Sequence, residues 1–354
     1  MENIKVAIWG LGAMGSGMAR MLAKKSGVDI VAVCDLAPDR VGRCLYDVLG
    51  LARGNHPEVI ISDNPDTAFP DRTADVLLLA TDSFTKGAFD KIALGLSRGM
   101  NVISTAEELA YPQAQEPELA RQLDEIARDN GTSVLGTGIN PGFVMDYLVL
   151  ALTGTCEQVD GIKASRVNDL SPFGGTVMQE QGVGTTQAEF EKGVREGSIA
   201  GHVGFPESIR MIADGIGWKI ERIDQSREAI LTSVDRKAPF ASVAKGDVAG
   251  CRQSGTATVD GEERIVMEHP QQIRPQDEGI NTGDIVEIKG TPNISMKISP
   301  EIPGGIGTIA MCVNMIPQVI NADAGLKTML DLPVPRAIMG DFRDQIRAEK
   351  RVVE

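Results

Sequence analysis

The stretch Lys5–Gly17, KVAIWGLGAMGSG, constrains this chain more than any other. An apolar, β-prone run from Ile4 to Trp9 leads into Gly10, Gly12 and Gly15. Residues 13–24 then carry Met14, Met18, Met21 and Leu22 at helical spacing. In a strand–turn–helix unit each glycine has a mechanical task. Gly10 allows the tight turn, Gly12 lets a phosphate reach the backbone, and Gly15 lets helix and strand pack closely. Gly10, Leu11, Gly12, Ala13, Met14 and Gly15 are therefore expected to cradle a pyrophosphate at a helix N-terminus. A second apolar run, Ile30 to Cys34, ends on Asp35, whose carboxylate is placed to accept hydrogen bonds from ribose hydroxyls.

The first 140 or so residues continue to alternate strand and helix patterns, which predicts an α/β fold with an N-terminal Rossmann doubly wound parallel sheet. A helix is expected from Pro38 to about Leu49, and strands at Val59 to Ser62, Asp75 to Ala80, Asn101 to Ser104 and Thr132 to Leu135. Ligands bind beyond the carboxyl ends of such strands. Gly10 to Gly15, Thr81 to Ser83, Thr105 to Glu108 and Gly136 to Asp146 are thus expected along one cleft. After about Tyr147 the text becomes short-looped and strand-rich, with an Asp260-Gly261 hairpin signal. This predicts a second α+β domain on a mixed, largely antiparallel sheet. The expected boundaries are 1–146, 147–303 and 304–354, the last a long apolar helix from Gly304 to about Leu330, with Pro317 in or near a break, that returns to the first domain.

The 35 basic and 49 acidic residues give a net charge of −14, which argues against nucleic-acid or anionic-membrane partners and is compatible with a cationic small molecule. No apolar run reaches spanning length. The chain enters its first strand within a few residues, so no leader is expected. Five scattered cysteines without a C-x-x-C pair read as reduced cytoplasmic thiols. His56, His202 and His269 lie far apart in sequence, and no metal site is expected.

The glycine turn, Ser104-Thr-Ala-Glu-Glu-Leu109 and Gly136-Thr-Gly-Ile-Asn-Pro-Gly-Phe-Val-Met-Asp146 together resemble the dihydrodipicolinate reductase-like group of NAD(P)-dependent enzymes. Within it, Gly201-His-Val-Gly-Phe-Pro-Glu-Ser208 and Met211 to Trp218 are similar to the 2,4-diaminopentanoate dehydrogenases. The resemblance implies oxidative deamination of (2R,4S)-2,4-diaminopentanoate at C4 with NAD or NADP, giving 2-amino-4-oxopentanoate and ammonia, in anaerobic ornithine breakdown. It also implies a homodimer. The single His202 and the partial Gly174-Gly175-Thr176 echo count against dihydrodipicolinate as the substrate, and the alternative is reduction of another cyclic imine or unsaturated acid.

Such chemistry needs a base, because the amine must be neutral before hydride can leave. Glu107, Glu108 and His202 are the candidates, with the glutamates doubling as first-turn helix residues and His202 as a loop histidine of ordinary pKa. Arg166 is expected to grip the substrate carboxylate. Asp146, Asp169 and Glu207 are further acidic candidates, Asp146 also reading as a helix cap. Thr81, with Asp82 beside it, is expected at the nicotinamide ribose, and Asn140 with Gly142 at the carboxamide. Asp35 favours NAD, and Arg40 and Arg43 beyond it offset its repulsion of a 2′-phosphate.

Overall fold

The computed structural model describes residues 2–350; Met1 and residues 351–354, the outermost positions of the expected first and last segments, lie outside the described residues. The chain forms two compact units, one from residues up to Phe143 together with those from Gly304 on, the other Val144–Pro303.

In the first unit five strands arise in the order the apolar runs predict: β1 (Ile4–Trp9), β2 (Val28–Cys34), β3 (Val76–Leu79), β4 (Asn101–Ser104) and β5 (Ser133–Gly136). A sixth, labelled β14 in chain order (Gly325–Lys327), pairs with β5, and the sheet runs β14-β5-β4-β3-β1-β2 with every pairing parallel. All four residues of β3, Val-Leu-Leu-Leu, are buried, as a central parallel strand requires. Helices Thr85–Ser97 and Pro117–Asp129 pack on one another, and the latter aligns Ala120, Leu123 and Ala127 inward at helical spacing.

Three expectations fail here, each for a local reason. Residues 38–43 are turns and the helix is only Leu45–Leu49, because Gly42 takes a left-handed φ of 77°. Val59 to Ser62 gives isolated bridges to Cys44 and Cys34 rather than a ladder strand. The C-terminal helical run breaks at Met315, near Pro317 as expected, into Gly304–Asn314 and Ile316–Asn321, with Pro317 in the first turn of the second, where its missing N–H is harmless, but it stops well short of Leu330. The chain then leaves the helical path to form β14 instead of continuing to Leu330.

The second unit is built on a sheet of β6 (Gln158–Asp169), β7 (Arg222–Leu231), β10 (Val248–Val259), β11 (Glu262–Gln272), β12 (Gly283–Thr291) and β13 (Ile294–Ile298). Its order is β13-β12-β6-β11-β10-β7, and only β6 and β11 run parallel, so the sheet is mixed and largely antiparallel. The β10–β11 turn is Asp260-Gly261, both with positive φ. β8 (Arg236–Ala238) and β9 (Ala241–Val243) form a separate two-stranded ribbon. Helix Phe205–Ile216 lies on β10 and β11, and Gly255 is required there because a Cβ would come within 2.7 Å of the Phe205 ring. The glycine-rich 174–180 stretch holds a short helix, Gly175–Glu180, that its composition conceals.

Candidate active site

Each unit carries its own arrangement of functional side chains. In the first, the strand register sets the order. Cys34, Trp9, Leu79, Ser104 and Gly136 are successive partners across β2, β1, β3, β4 and β5. The residues that follow them therefore leave one edge of the sheet in sequence: Asp35, Gly10, Thr81, Thr105 to Glu108, and Thr137 to Gly142. This is the edge where a doubly wound sheet takes its ligand.

The glycine turn fits a nucleotide pyrophosphate. A Cβ on Gly10 would sit 2.6 Å from the Ala80 carbonyl oxygen, and one on Gly15 only 1.8 Å from the Gly10 carbonyl oxygen. At Gly12 nothing lies within 4 Å of the Cβ position, so the backbone is open on that side. Helix Ala13–Leu22 starts there with no side-chain cap, leaving its first N–H groups, at Ala13, Met14 and Gly15, directed along the open end.

Asp35 is only 9% exposed and does more than the sequence suggests. Its Oδ2 accepts the Leu11 N–H at 2.5 Å and its Oδ1 the Ala37 N–H at 2.7 Å, so it ties the glycine turn to the loop after β2. Arg40 donates to the Leu11 carbonyl oxygen at 2.7 Å and stands 3.6 Å from the Asp35 carboxylate. Thr81 donates its hydroxyl to Asp82 at 2.6 Å, and Lys91 reaches both at 3.1 and 2.5 Å. Partial burial would raise the Asp82 carboxyl, but hydrogen bonds from Lys91 and Thr81 outweigh it and hold it below the usual range. Thr81 and Asp82 are thus a small ion-paired cluster at the β3 tip.

Glu107 and Glu108 separate cleanly. Both lie in the 3-10 turn Glu107–Ala110, against which Gly136 packs so closely that a Cβ would come 2.3 Å from the Leu109 backbone. Glu108 is 6% exposed, and its Oε2 accepts the Thr85 N–H at 2.6 Å, capping helix Thr85–Ser97. It therefore stabilises a helix start from outside that helix. Glu107 is half-buried on the same turn. Gly142 holds φ at 121°, with a Cβ there 2.6 Å from the Gly138 nitrogen, so Asn140-Pro141-Gly142 is a tight turn past β5.

In the second unit the inward face of the sheet is apolar at one end and polar at the other. Ile162, Ala164, Ile265, Met267, Ala257, Val286 and Ile288 give way to Arg166, Asn168, His269, Gln271, Gln253 and Asp284, all buried. The change follows the register. Asp284 opposes Arg166 across β12 and β6, and Gln253 opposes both His269 on β11 and Arg227 on β7. The pairings Ser165 with Glu268 and Asn168 with Gln271 bring Arg166 level with His269. One polar row thus crosses five strands: Asp284, Arg166, His269, Gln253, Arg227.

Arg166 is 1% exposed, bonded through Nη1 to Asp284 and through Nη2 to the Ile302 carbonyl oxygen at 2.6 Å. Arg166, expected to grip the substrate carboxylate, is a buried cation on the central strand β6 with Asp284 as its carboxylate partner. His202 lies beside the row, its ring centroid 4.7 Å from His269 at 75° and 6.1 Å from Phe205. Burial, aided by the Arg166 charge, pushes His202 down to about 3, and burial with the nearby His202 and Arg166 pushes His269 well below its ordinary value. Both imidazoles are neutral at physiological pH. His202 is thus a buried loop histidine whose pKa is depressed, not ordinary, and it stands against His269 although the two are distant in sequence. The signal for His269 was present in Ile265, Met267 and His269, which alternate on one face.

Asp146 is fully buried, accepting from Tyr147 N at 2.6 Å and from the Ser208 hydroxyl at 2.8 Å, so it caps helix Tyr147–Thr153 and joins it to helix Phe205–Ile216. Asp169 accepts from Ser171 N and Arg274 N at 2.8 and 3.1 Å and organises a loop. Both expected substrate-binding carboxylates thus have local partners within the second unit: Tyr147 and Ser208 for Asp146, Ser171 and Arg274 for Asp169. Glu207 is completely buried in helix Phe205–Ile216. Among the described residues no group of three or more His, Cys, Asp or Glu side chains could hold a metal ion.

Comparison with known proteins decides the family. Residues 143–348 match the 2,4-diaminopentanoate dehydrogenase C-terminal domain. The chain is 59% identical, over all of both sequences, to the 2,4-diaminopentanoate dehydrogenase of Acetoanaerobium sticklandii. It belongs to the 2,4-diaminopentanoate dehydrogenase family. A more distant relative of this family member is the amine dehydrogenase of Streptomyces virginiae, 26% identical over 95% of this chain and 98% of that one. The amine dehydrogenase from Mycobacterium smegmatis superposes with a TM-score of 0.85 at 26% identity, over 96% of this chain and 98% of that one. As a 2,4-diaminopentanoate dehydrogenase family member the chain is an oxidoreductase, and its first unit is a Rossmann-type sheet for a nicotinamide coenzyme. Among the described residues no helix is long and apolar enough to cross a membrane.

Proposed function

We propose that this protein oxidises (2R,4S)-2,4-diaminopentanoate at C4 with NAD or NADP, releasing 2-amino-4-oxopentanoate, ammonia and reduced coenzyme. The relative at 59% identity supports the choice of substrate. The observation that carries the reading is the buried row of the second unit, where Arg166, two neutral imidazoles and the Asn168 amide stand together on an otherwise apolar sheet face. The Asn168 side-chain oxygen, in a residue 5% exposed, has no hydrogen-bond partner, which suits an incoming ammonium. Arg166, held in place by Asp284, presents a guanidinium suited to a carboxylate. Neutral His202 and His269 can donate to or accept from the amino-acid end of the substrate without repelling its ammonium.

A bound nicotinamide would supply the hydride acceptor for C4. The rest falls to side chains. The amine must lose its proton before hydride can leave, and Glu107, on the turn past β4 at the coenzyme edge of the first unit, is proposed as the base. Glu108 fixes that turn by capping helix Thr85–Ser97. Asp35 and Arg40 supply the ribose end. Because Arg40 lies 3.6 Å from Asp35, the carboxylate is partly neutralised and a 2′-phosphate is tolerated, so both coenzymes serve. The reading places the protein in ornithine breakdown in the cytoplasm, acting as a homodimer.

The test is direct. Purified protein is incubated with the diamine and either NAD or NADP, and reduced nicotinamide is followed by absorbance while ammonia is assayed separately. Equal yields of the two products support the proposal. No reduction with the diamine, but oxidation of reduced coenzyme by a cyclic imine, would replace it with the reductase alternative.

A further inference from the structure

Residues 200–202 have no regular structure of their own, yet the His202 ring is held edge-on to His269. The cause lies in the neighbouring strands. Gln253 on β10 is 1% exposed, and its amide grips the His202 backbone from both sides. Its Oε1 accepts the His202 N–H at 2.7 Å, and its Nε2 donates to the His202 carbonyl oxygen at 3.0 Å. Gln225 on β7 steadies that amide, accepting from the same Nε2 at 3.2 Å. On β7 as well, Arg227, the register partner of Gln253, donates from Nε to the Ala200 carbonyl oxygen at 2.5 Å. Gly201 lies between them at φ +70°, where a Cβ would come 2.4 Å from Gln253 Oε1 and 2.9 Å from Arg227 Nε. The loop is thus drawn onto the sheet more closely than any other residue type at 201 would allow.

We infer that Gln253 is a positioning residue: it reads the backbone of residue 202 as an antiparallel strand would, and so fixes where the His202 imidazole stands relative to the substrate's amino-acid end. The inference rests on the proposed substrate site and goes beyond it, because Gln253 need not touch the substrate. A side-chain amide suits this task, since it offers one acceptor and one donor at the spacing of a peptide group. Glutamate keeps the length but, when ionised, sets an oxygen against the His202 carbonyl oxygen. Methionine keeps the volume and removes both bonds.

The experiment is a double-mutant cycle on steady-state kinetics with the diamine as variable substrate and saturating coenzyme. The proteins are the unaltered chain, Gln253→Met, His202→Ala and the double variant, with Gln253→Glu as a second probe should the methionine variant fail to fold. Gln253→Met is expected to raise KM for the diamine about tenfold, the scale of two backbone hydrogen bonds lost together, with the coenzyme dissociation constant unmoved. In the His202→Ala background the same change is expected to cost less than twofold, because there is no imidazole left to place. A Gln253 penalty of equal size in both backgrounds would overturn the inference and leave Gln253 a packing residue. Unaltered kinetics in His202→Ala alone would instead remove His202 from the substrate site, a failure of the underlying reading that the cycle separates from the first.

Discussion

Replacing Asp284 by alanine tests whether the polar row is a load on the fold that its partners hold in balance. Asp284 and Arg166 are each 1% exposed. The carboxylate accepts from Arg166 Nη1 and, at 2.9 Å, from the Ile302 N–H. Alanine leaves a buried guanidinium with only the Ile302 carbonyl oxygen as its hydrogen-bond acceptor here, and strips the Ile302 amide as well. Breaking a buried pair in this one-sided way costs about 3–5 kcal/mol. With a urea slope of about 2 kcal/mol/M the midpoint should fall by roughly 1.5–2.5 M. Of the two tryptophans, Trp9 belongs to the first unit and Trp218 to the second. A Trp9→Phe background therefore reports the second unit alone by fluorescence, which matters because two units need not unfold as one. The companion variant Arg166→Met/Asp284→Leu, which removes both charges, should regain most of the lost stability but not the KM for the diamine. A midpoint shift below about 0.5 M for Asp284→Ala would refute the reasoning, since an uncompensated buried cation cannot be that inexpensive.

Three further outcomes are expected. Glu107→Gln should lower kcat by about 10²-fold or more with the melting temperature unchanged, whereas Glu108→Gln should cost about 1–2 kcal/mol of stability by weakening the Thr85 cap, as calorimetry and kinetics on the pair will show. Gly15→Ala should prevent correct folding of the first unit, because its Cβ meets the Gly10 carbonyl oxygen, while Gly12→Ala should fold normally and weaken coenzyme binding at least tenfold by fluorescence titration. For pH, the folded pKa values of His202 and His269 are depressed, so below about 6.5 the unfolded chain binds protons that the folded chain does not. Stability should then fall as pH drops from about 6.5 towards 3, and His269→Asn should flatten that slope in urea midpoints measured between pH 7 and 4.5.

Much of this could be read from residues alone. Period and punctuation reveal β1, the glycine turn, β3 and the helices at 85–97 and 117–129, because each is local. The alternation in β6, β11 and β12 likewise announces a half-buried sheet. What could not be read is which alternating positions meet. Arg166, Asp284 and His269 are each one inward residue of a separate strand, and only the register brings them into a row. The same holds for Glu108, whose role depends on a helix start 23 positions earlier in the chain. The C-terminal segment misleads for the opposite reason: Pro317 marks the break near Met315, but the apolar run beyond it is uniform enough to hide the helix end at Asn321 and the strand at Gly325–Lys327.

That last strand has a consequence during synthesis. β5 ends at Gly136, but its partner on the outer side is not made until Lys327, with the whole of the second unit translated in between. At about 5–20 residues per second the ribosome needs roughly 10–40 s to supply it. For that interval the nascent first sheet has an open hydrogen-bonding border on β5 that other chains can join. A polypeptide that stalls or is cut between the two strands should accordingly be a preferred client of folding chaperones.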